Sequence, residues 1–307
     1  MTDPFKRGVL LLLDKPAGLT SHDVVERVRK ATAFDRIGHS GTLDPIATGL
    51  LLLCAGGAAR LQGFFTRMDK SYEGAIRLGR ATTTFDKEGT TVGTERDASG
   101  VGGEEIEQAA EAFRGEFLQS PPPYSAKKLQ GRKFYEMARK GESVPLLPKK
   151  VRVSALSFGD PDGGRLPFSI TCSSGTYVRA IANELGEKLH CGAHLESLRR
   201  TSIGVFRVED AVGLEEFEAM DPPRRLDPPH AVPLERVPFP FDRVKLASLE
   251  VWKVRKGQSV PIRDLSAREG DWVSLLAPSG QLVALGQVTP MGTGKVSLVK
   301  PKVVLTE

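Results

Sequence analysis

One carboxylate of the chain lies in a stretch whose composition would hold it rigidly. Asp44 is followed by Pro45 within residues 38–49. The proline disfavours helical backbone at Asp44, and the three glycines of the segment permit tight turns and close approach of a ligand to the main chain. A carboxylate held in this way can act as a nucleophile or as a general base. On these residues alone, an ordinary Asp-Pro turn is the commoner interpretation.

The wider motif points to a specific reaction. The string GHSGTLDPIATGLLLLCAGGAARL resembles the active-site motif of the TruB family, the tRNA pseudouridine-55 synthases. In that family the Asp of the GTLDP segment is the catalytic residue, so the resemblance implies this role for Asp44. The segment LLLLDKPAGLTSHDVV resembles the first motif of the same family, in which the counterparts of Lys15 and Pro16 support the floor of the active site.

Two further residues gain a function only through the resemblance. Tyr72, in KSYEGAIRLG, matches the family's active-site tyrosine, whose ring stacks on the uracil and whose hydroxyl can take part in proton transfer. His39 lies five residues before Asp44, and the resemblance implies that it helps to fill the place that the flipped base vacates. Without the family, a strand tyrosine is more often a core residue, and a histidine in a glycine turn is more often structural.

A third motif supplies the expected partner of the carboxylate. The segment CSSGTYVRAIANELGEKLHCGAHLESLRRTSIGVF resembles the family's sequence closely. The resemblance implies that Arg179 is the cation paired with the catalytic carboxylate, and that Tyr177 and Leu198 close the uracil pocket. The chain departs from the family at two positions: Ser174 replaces a residue that is often basic, and Thr83 stands where the family usually carries an acid.

The positive charge of the chain is concentrated in one segment. The formal net charge is +5, from 43 Lys and Arg against 38 Asp and Glu. Residues 124–152 hold nine Lys or Arg and two Glu, so this segment carries +7 and the remainder −2. A local excess of this kind favours a polyanionic partner, although a solvated charged face is the alternative.

The same segment carries the expected contacts with RNA. PPPYSAKKLQGRKFYEMARKGESV resembles the family insertion that grips RNA, and its aromatic residues offer stacking faces. Contacts with the RNA backbone are therefore expected from four basic residues: Lys127, Lys128, Arg132 and Lys133. The partner implied by the resemblance is the T-arm of tRNA.

The elements that must position these residues follow from hydrophobic periodicity. Strands are predicted at residues 9–13, 50–55, 70–79, 151–158 and 168–172. Helices are predicted at residues 22–31 and 58–67, around the apolar face of residues 106–113, and where Tyr177, Ile181, Leu185 and Leu189 recur every four residues. A proline-rich connector at residues 221–240 precedes short strands separated by Gly, Pro and Asp turns.

The predicted fold is α+β, with a mixed, largely antiparallel sheet flanked by helices. A catalytic domain is expected at residues 1–238, with the basic insertion at about residues 120–150. Residues 239–307 look like the C-terminal PUA-like module of many bacterial members, a small RNA-binding β-barrel.

Composition and cysteine usage set further expectations. The three cysteines form neither a CxxC pair nor a metal-ligand spacing with the histidines, which is typical of a reducing compartment. The apolar run at residues 9–13 is too short for a signal peptide or a membrane span. We therefore expect a cytoplasmic monomer that neither binds a membrane nor requires a nucleotide or metal cofactor.

The resemblance therefore implies isomerisation of uridine to pseudouridine at position 55, in the T-loop of tRNA. One alternative is a non-catalytic tRNA-binding or folding chaperone on the same scaffold. Another is an N-glycosidase or base-exchange enzyme, which would break the same bond through a carboxylate and release free uracil.

Overall fold

The computed structural model describes residues 8–32, 34–122, 128–129, 132–133, 147–289 and 296–305. Fifteen strands of the described residues precede the C-terminal region, and most of them belong to one sheet. These strands are β1 (Gly8–Lys15), β2 (Ile37–His39), β3 (Thr48–Gly56), β4 (Lys70–Leu78), β5 (Ala81–Thr82), β6 (Thr91–Val92), β7 (Gly115–Gln119), β8 (Lys128–Leu129), β9 (Arg132–Lys133), β10 (Lys149–Phe158), β11 (Arg165–Cys172), β12 (Ala193–Ile203), β13 (Phe206–Arg207), β14 (Val212–Gly213) and β15 (Ala231–Pro233).

Eleven of these strands form the large sheet, in which the spatial order of the main path is β14-β1-β3-β12-β4-β11-β10-β7. Most neighbours run antiparallel, but β12 runs parallel to β3 at the centre, where Arg200 lies opposite Gly49. The loop that carries Asp44 enters β3 at this junction. Strands β5 with β6, and β8 with β9, form separate two-stranded pairs.

Helices cover the sheet. In the part of the chain that the structure describes, they are α1 (Ser21–Ala31), α2 (Gln62–Arg67), α3 (Gly103–Ala110), α4 (Val178–Lys188), α5 (Leu214–Ala219) and α6 (Ser248–Arg255). Helix α1 begins at a capping box, in which the Thr20 side chain accepts from the Asp23 backbone amide and the Asp23 carboxylate accepts from Thr20. A 3-10 turn, Gly57–Leu61, leads into α2. None of the helices among these residues has the length and apolarity that crossing a membrane requires.

The apolar runs of β1 and β3 are continuous because both faces of these strands are covered. On β3, Leu50 and Leu52 contribute to the hydrophobic cluster that also contains Phe65, whereas Leu51 and Leu53 pack with α1 and α5 on the other face. All four leucines are fully buried. Burying each such side chain contributes roughly 1.5–3 kcal/mol, so the strand that follows the Asp44 loop is a firm support.

The C-terminal region forms a second, five-stranded sheet that curls into a half-barrel. Its strands are β16 (Asp242–Lys245), β17 (Val260–Arg263), β18 (Trp272–Leu276), β19 (Leu282–Thr289) and β20 (Val296–Val304). This sheet packs on the first part of the chain: the ring centroids of Phe64 and Trp272 lie 4.6 Å apart, and Leu276 and Leu285 share a hydrophobic cluster with Leu10. The half-barrel and the first part of the chain therefore share a hydrophobic core.

The α+β prediction is confirmed, and the five predicted strands and the main predicted helices are present. Several elements were missed, among them β12 and α6. Strand β12 carries a polar stretch that gives no clear alternation, and α6 interrupts a region predicted as strands only. The proline-rich connector is more ordered than predicted, because β15 within it pairs with β1. The sequence would also allow a short helix with Phe134, Tyr135 and Ala138 along one side, and these residues lie outside those that the structure describes.

Candidate active site

One cavity of about 550 Å³ opens over the centre of the large sheet. It brings together every catalytic and uracil-binding residue predicted from the sequence: His39, Asp44, Tyr72, Tyr177, Arg179 and Leu198. They come from β2, the loop before β3, β4, the start of α4, and β12. Because these elements are distant in sequence, only the folded sheet makes them neighbours.

The loop that carries Asp44 is held from beneath by hydrogen bonds. The Leu43 amide donates to Ser21 Oγ at 2.8 Å, and the Ser21 hydroxyl donates back to the Leu43 carbonyl at 3.2 Å. The Gly18 amide donates to the Pro45 carbonyl at 2.8 Å. Both neighbours of Asp44 are therefore anchored, while its own side chain is 41% exposed to the cavity.

Lys15 supports the same loop from the core side. Its ammonium is fully buried and donates to the carbonyls of Pro16 at 2.8 Å and Pro45 at 3.4 Å. Burial lowers the pKa of Lys15 to about 8, and the negative charge of Asp44 opposes that shift. The lysine therefore joins the first motif to the Asp-Pro turn through backbone contacts.

Arg179 lies between two carboxylates. Its Nε is 3.4 Å from Asp44 Oδ2, and its Nη1 is 3.3 Å from Asp86 Oδ2 and donates to the Thr84 carbonyl at 3.2 Å. The guanidinium is almost completely buried, and so is Asp86, whereas Asp44 faces the open cavity. The expected ion pair between Arg179 and Asp44 is present, and a different nitrogen of the same guanidinium lies beside Asp86.

The second acid is held tightly by its own loop. One carboxylate oxygen of Asp86 accepts from the Thr84 hydroxyl and from the Glu88 amide, which leaves Oδ2 for Arg179. Phe85, just before it, has φ +67, a conformation that a bulky side chain rarely adopts. The Phe85 carbonyl accepts from the Leu195 amide on β12 at 2.9 Å, so the strained turn is tied to the sheet.

Tyr72 and Arg200 face each other across two antiparallel strands. They are directly opposite in the register of β4 and β12, and their side chains interact. Arg200 is 1% exposed, and its Nε donates to the Leu50 carbonyl at 2.7 Å. Burial raises the pKa of the Tyr72 hydroxyl, and the Arg200 charge opposes that rise. The ring of Tyr72 remains half-buried at the cavity wall.

His39 lies at the edge of the cavity as a neutral ring. Burial lowers its pKa below the ordinary 6.5, and the charge of Arg200 acts in the same direction. Its Nδ1 accepts from the Gly41 amide at 3.4 Å, and the Gln62 side chain donates to its backbone carbonyl at 2.8 Å. These contacts fix the histidine against the start of the Asp44 loop.

Tyr177 is fixed through its main chain. The buried Gln119 side-chain amide accepts from the Tyr177 amide at 2.8 Å and donates to the Tyr177 carbonyl at 3.0 Å. Leu198, on β12, is opposite Gly74 in the register with β4 and is half-buried at the cavity wall. One apolar and two aromatic side chains thus surround a space flanked by Asp44.

Comparison with known proteins identifies the family. The model described as TruB family pseudouridylate synthase (N terminal domain) matches residues 29–178, and that of the tRNA pseudouridylate synthase B C-terminal domain matches residues 179–237. The chain belongs to the TruB family. It is 41% identical to tRNA pseudouridine synthase B of Solibacter usitatus (strain Ellin6076) over 91% of this chain and 95% of that protein. It is 39% identical to the protein of that name from Aquifex aeolicus (strain VF5), over 83% and 87%.

Solved structures extend the likeness of this TruB-family chain to the fold. A chain from a Cbf5-Nop10-Gar1 complex superposes with a TM-score of 0.74 over 97% of this chain and 85% of that one, at 24% identity. A chain from an H/ACA RNP bound to a substrate RNA containing 2'-deoxyuridine gives a TM-score of 0.73 over 98% and 86%, at 22% identity. The large sheet and the C-terminal half-barrel therefore belong to a pseudouridine-synthase fold.

The structure describes the predicted RNA-contacting residues of the insertion only in part. Lys127 lies outside the described residues; Lys128, Arg132 and Lys133 belong to the paired strands β8 and β9, and only their backbone is described. Their contact with RNA stays a prediction. Lys149, where the chain is again described, lines the cavity. Within the described ranges, no group of His, Cys, Asp or Glu has the geometry of a metal site.

Three residues of the site were missed from the sequence: Asp86, Gln119 and Arg200. A signal for Asp86 was available, since it lies three residues after Thr83, where the family's acid is missing, in a loop of Thr, Asp and Gly. Arg200 and Gln119 carried no such signal. Arg200 follows another arginine, and only the strand register shows that Arg200 points inward while Arg199 pairs with Asp14.

Proposed function

We propose that the protein isomerises uridine to pseudouridine at position 55 in the T-loop of tRNA. The observation that carries the proposal is the Asp44 carboxylate, 3.4 Å from the Arg179 guanidinium, at the wall of a cavity lined by Tyr72 and Leu198. The TruB-family relatives named tRNA pseudouridine synthase B support the choice of tRNA as substrate. We further propose that it acts as a cytoplasmic monomer.

The reaction requires a carboxylate and needs no redox change. The bond between N1 of uracil and C1′ of ribose breaks, uracil turns, and a bond forms between C5 and C1′. C5 loses one proton and N1 gains one, so atoms and electrons balance. Asp44 serves this exchange either by attacking C1′ or by removing a proton from C2′ in a glycal route. Both routes use the same anion beside the same cation.

Arg179 keeps that anion in place. Asp44 is open to the cavity in the free protein, so a uridine that enters would cover it and remove its water. Desolvation disfavours a charged carboxylate, and a neighbouring guanidinium offsets this penalty. Because Arg179 is itself fixed by the buried Asp86, it meets the substrate already oriented.

The base must leave its stack before it reaches Asp44. Flipping a nucleotide costs a few kcal/mol, which a shaped pocket recovers by stacking and apolar contact. We assign the stacking face to Tyr72, and the closure of the pocket to Tyr177 and Leu198. His39, neutral at physiological pH and at the cavity edge, is placed to fill the space that the base leaves.

We assign the RNA contacts outside the cavity to two regions of the chain. We propose that the insertion at residues 120–150 contacts the T-arm backbone through Lys127, Lys128, Arg132 and Lys133. We also propose that residues 239–307 form an RNA-binding PUA-like domain beside the catalytic domain of residues 1–238. Replacing the four basic residues by glutamine should weaken tRNA binding and flatten the dependence of the Kd on salt. An unchanged salt slope would assign the segment to a solvated face.

The decisive experiment uses an unmodified tRNA transcript. After incubation with the protein, pseudouridine is mapped chemically at single-nucleotide resolution, and released uracil is measured in the same sample. The proposal predicts modification at position 55 and no free uracil. Free uracil would identify an N-glycosidase, and tight binding without product would identify an RNA chaperone. The Asp44→Asn protein is the matched control for contaminating activity.

A further inference from the structure

The floor of the active site contains a buried cation without a carboxylate partner. Arg200 is 1% exposed and is among the largest of the fully buried side chains in the described part of the chain. A buried charge is ordinarily paired with an opposite charge, because desolvation costs several kcal/mol. In the described part of the chain, no carboxylate forms an ion pair with Arg200. A buried arginine without a carboxylate partner therefore needs another structural or functional explanation, and its position suggests one.

The guanidinium contacts both ends of the segment that carries Asp44. Its Nη2 donates to the Gly41 carbonyl at 3.2 Å, three residues before the carboxylate. Its Nε donates to the Leu50 carbonyl at 2.7 Å, six residues after it. One rigid planar group therefore spans the loop, whose glycines at its two ends have φ of +139 (Gly41) and +96 (Gly49).

The same group faces Tyr72 on the other side. Arg200 and Tyr72 are directly opposite in the register of β12 and β4, and the guanidinium interacts with the phenol. The other titratable groups facing this hydroxyl are Cys172 on β11 and Asp44 itself. Arg200 is therefore the cation that reaches both the Asp44 loop and the tyrosine.

We propose that Arg200 is a positioning residue. By contacting both the Asp44 loop and the Tyr72 hydroxyl, it holds the carboxylate and the phenol in position against the same uracil. The inference rests on the proposed function. After the bond between C5 and C1′ forms, the C5 proton passes to the Tyr72 oxygen as the tyrosine's own hydroxyl proton leaves to water. The electrons of that C–H bond restore the C5=C6 bond, and those of N1=C6 move to N1, which takes up a proton. A cation beside Tyr72 stabilises the negative charge that develops on its oxygen during this exchange.

The first test separates binding from chemistry. Arg200→Lys keeps the charge but cannot reach Gly41, Leu50 and Tyr72 together. At saturating tRNA, the single-turnover rate constant should fall about 10- to 100-fold, while the Kd for tRNA changes less than about 3-fold. Arg199→Lys is the control: it is the next residue on β12 but pairs with Asp14, and should keep the wild-type rate. An undiminished rate in a folded Arg200→Lys protein overturns the proposal.

The second test asks whether Arg200 acts through the tyrosine. In a Tyr72→Phe background, Arg200→Lys should reduce the rate less than it does in the wild type, because the shared contact is already lost. Fully additive losses of rate would show that Arg200 and Tyr72 act independently, which would contradict the proposal. The chain holds four tyrosines, so ionisation of Tyr72 can also be followed by ultraviolet absorbance, with Tyr72→Phe as the reference. In Arg200→Gln the Tyr72 midpoint should move to higher pH; an unmoved midpoint would refute the contact.

A third readout needs neither activity nor a variant of Arg200. In Tyr72→Phe, Arg200 is intact but loses one of its three contacts, and amide exchange of the loop from Gly41 to Leu50 should become faster. Unchanged exchange would show that the loop and the tyrosine are independent. If the wild type makes no pseudouridine, the proposed function fails. The titration and the exchange measurements still decide whether Arg200 couples the Asp44 loop to Tyr72.

Discussion

Two loops each supply an acid to Arg179, and they are built in opposite ways. In the Asp44 loop the backbone is anchored by Ser21 and Lys15, while the carboxylate is 41% exposed. In the loop of Asp86 the carboxylate is 5% exposed and bonded within its own turn. The difference indicates a division of labour. The buried acid orients the guanidinium, and the exposed acid remains accessible to a substrate.

Asp44→Asn should give the largest effect on catalysis and the smallest on folding. The change removes the charge that the reaction requires, so turnover should fall at least ~10³-fold. The side chain is exposed and its loop is held by backbone contacts, so the free energy of unfolding should change by less than about 0.5 kcal/mol. Single-turnover kinetics and urea unfolding measure the two quantities. Substantial remaining turnover would remove Asp44 from the chemistry.

Arg179→Lys should follow in size, because one ammonium cannot occupy the positions of both Nε and Nη1. The acid that it fails to reach loses its partner, and a displaced cation costs ~10²-fold in rate. Binding of tRNA should be nearly unchanged. Normal turnover with lysine at this position would mean that the divided contact with two acids has no catalytic consequence. The comparison of the two loops would then lose its basis.

Asp86→Asn should show the reverse balance from Asp44→Asn. The amide keeps the shape but weakens the hold on Arg179, so the rate should fall about 10-fold. The free energy of unfolding should fall by about 1–3 kcal/mol, because a buried charge-assisted contact is lost. Thermal unfolding and single-turnover kinetics on the same samples check both. A rate loss as large as that of Asp44→Asn would place Asp86 in the chemistry as well.

The smallest effect is expected for His39, at the edge of the Asp44 loop, and it concerns the pH dependence of stability. Its folded-state pKa is below 6.5, so the unfolded chain binds a proton first as the pH falls. The contribution of His39 to the free energy of unfolding should therefore be constant well above pH 6.5 and should decline as the pH falls through that value, and His39→Gln should reduce that decline. Urea unfolding at several pH values measures it. The buried His194 has a pKa lowered in the same direction, and leaves a residual slope in the variant.

The accuracy of the sequence predictions depended on how local the determinant was. The apolar runs of β1 and β3 and the capped start of α1 are local patterns, and the structure places these elements where they were predicted. Strand β12 was missed because charged residues on it are buried or paired only through its neighbours. The residues next to Arg200 in the sequence do not show that it lies opposite Tyr72. That position follows from the pairing register of β12 with β4.

The candidate site divides in the same way. Residues within recognisable motifs could be named in advance, and the cavity brings them together. Asp86 was not named, because its contact with Arg179 depends on a turn, with φ +67 at Phe85, that directs one carboxylate oxygen at a guanidinium on another element. Such second contacts follow from tertiary packing and leave little trace in a single sequence.

The most direct test measures the two acids side by side. Single-turnover rate constants at saturating tRNA are determined for Asp44→Asn and Asp86→Asn, with the unfolding midpoint of each protein as the reference for structural damage. A division of labour predicts that Asp44→Asn loses nearly all turnover at an unchanged midpoint, whereas Asp86→Asn remains active but less stable. The opposite ranking, or equal losses of rate, would contradict it.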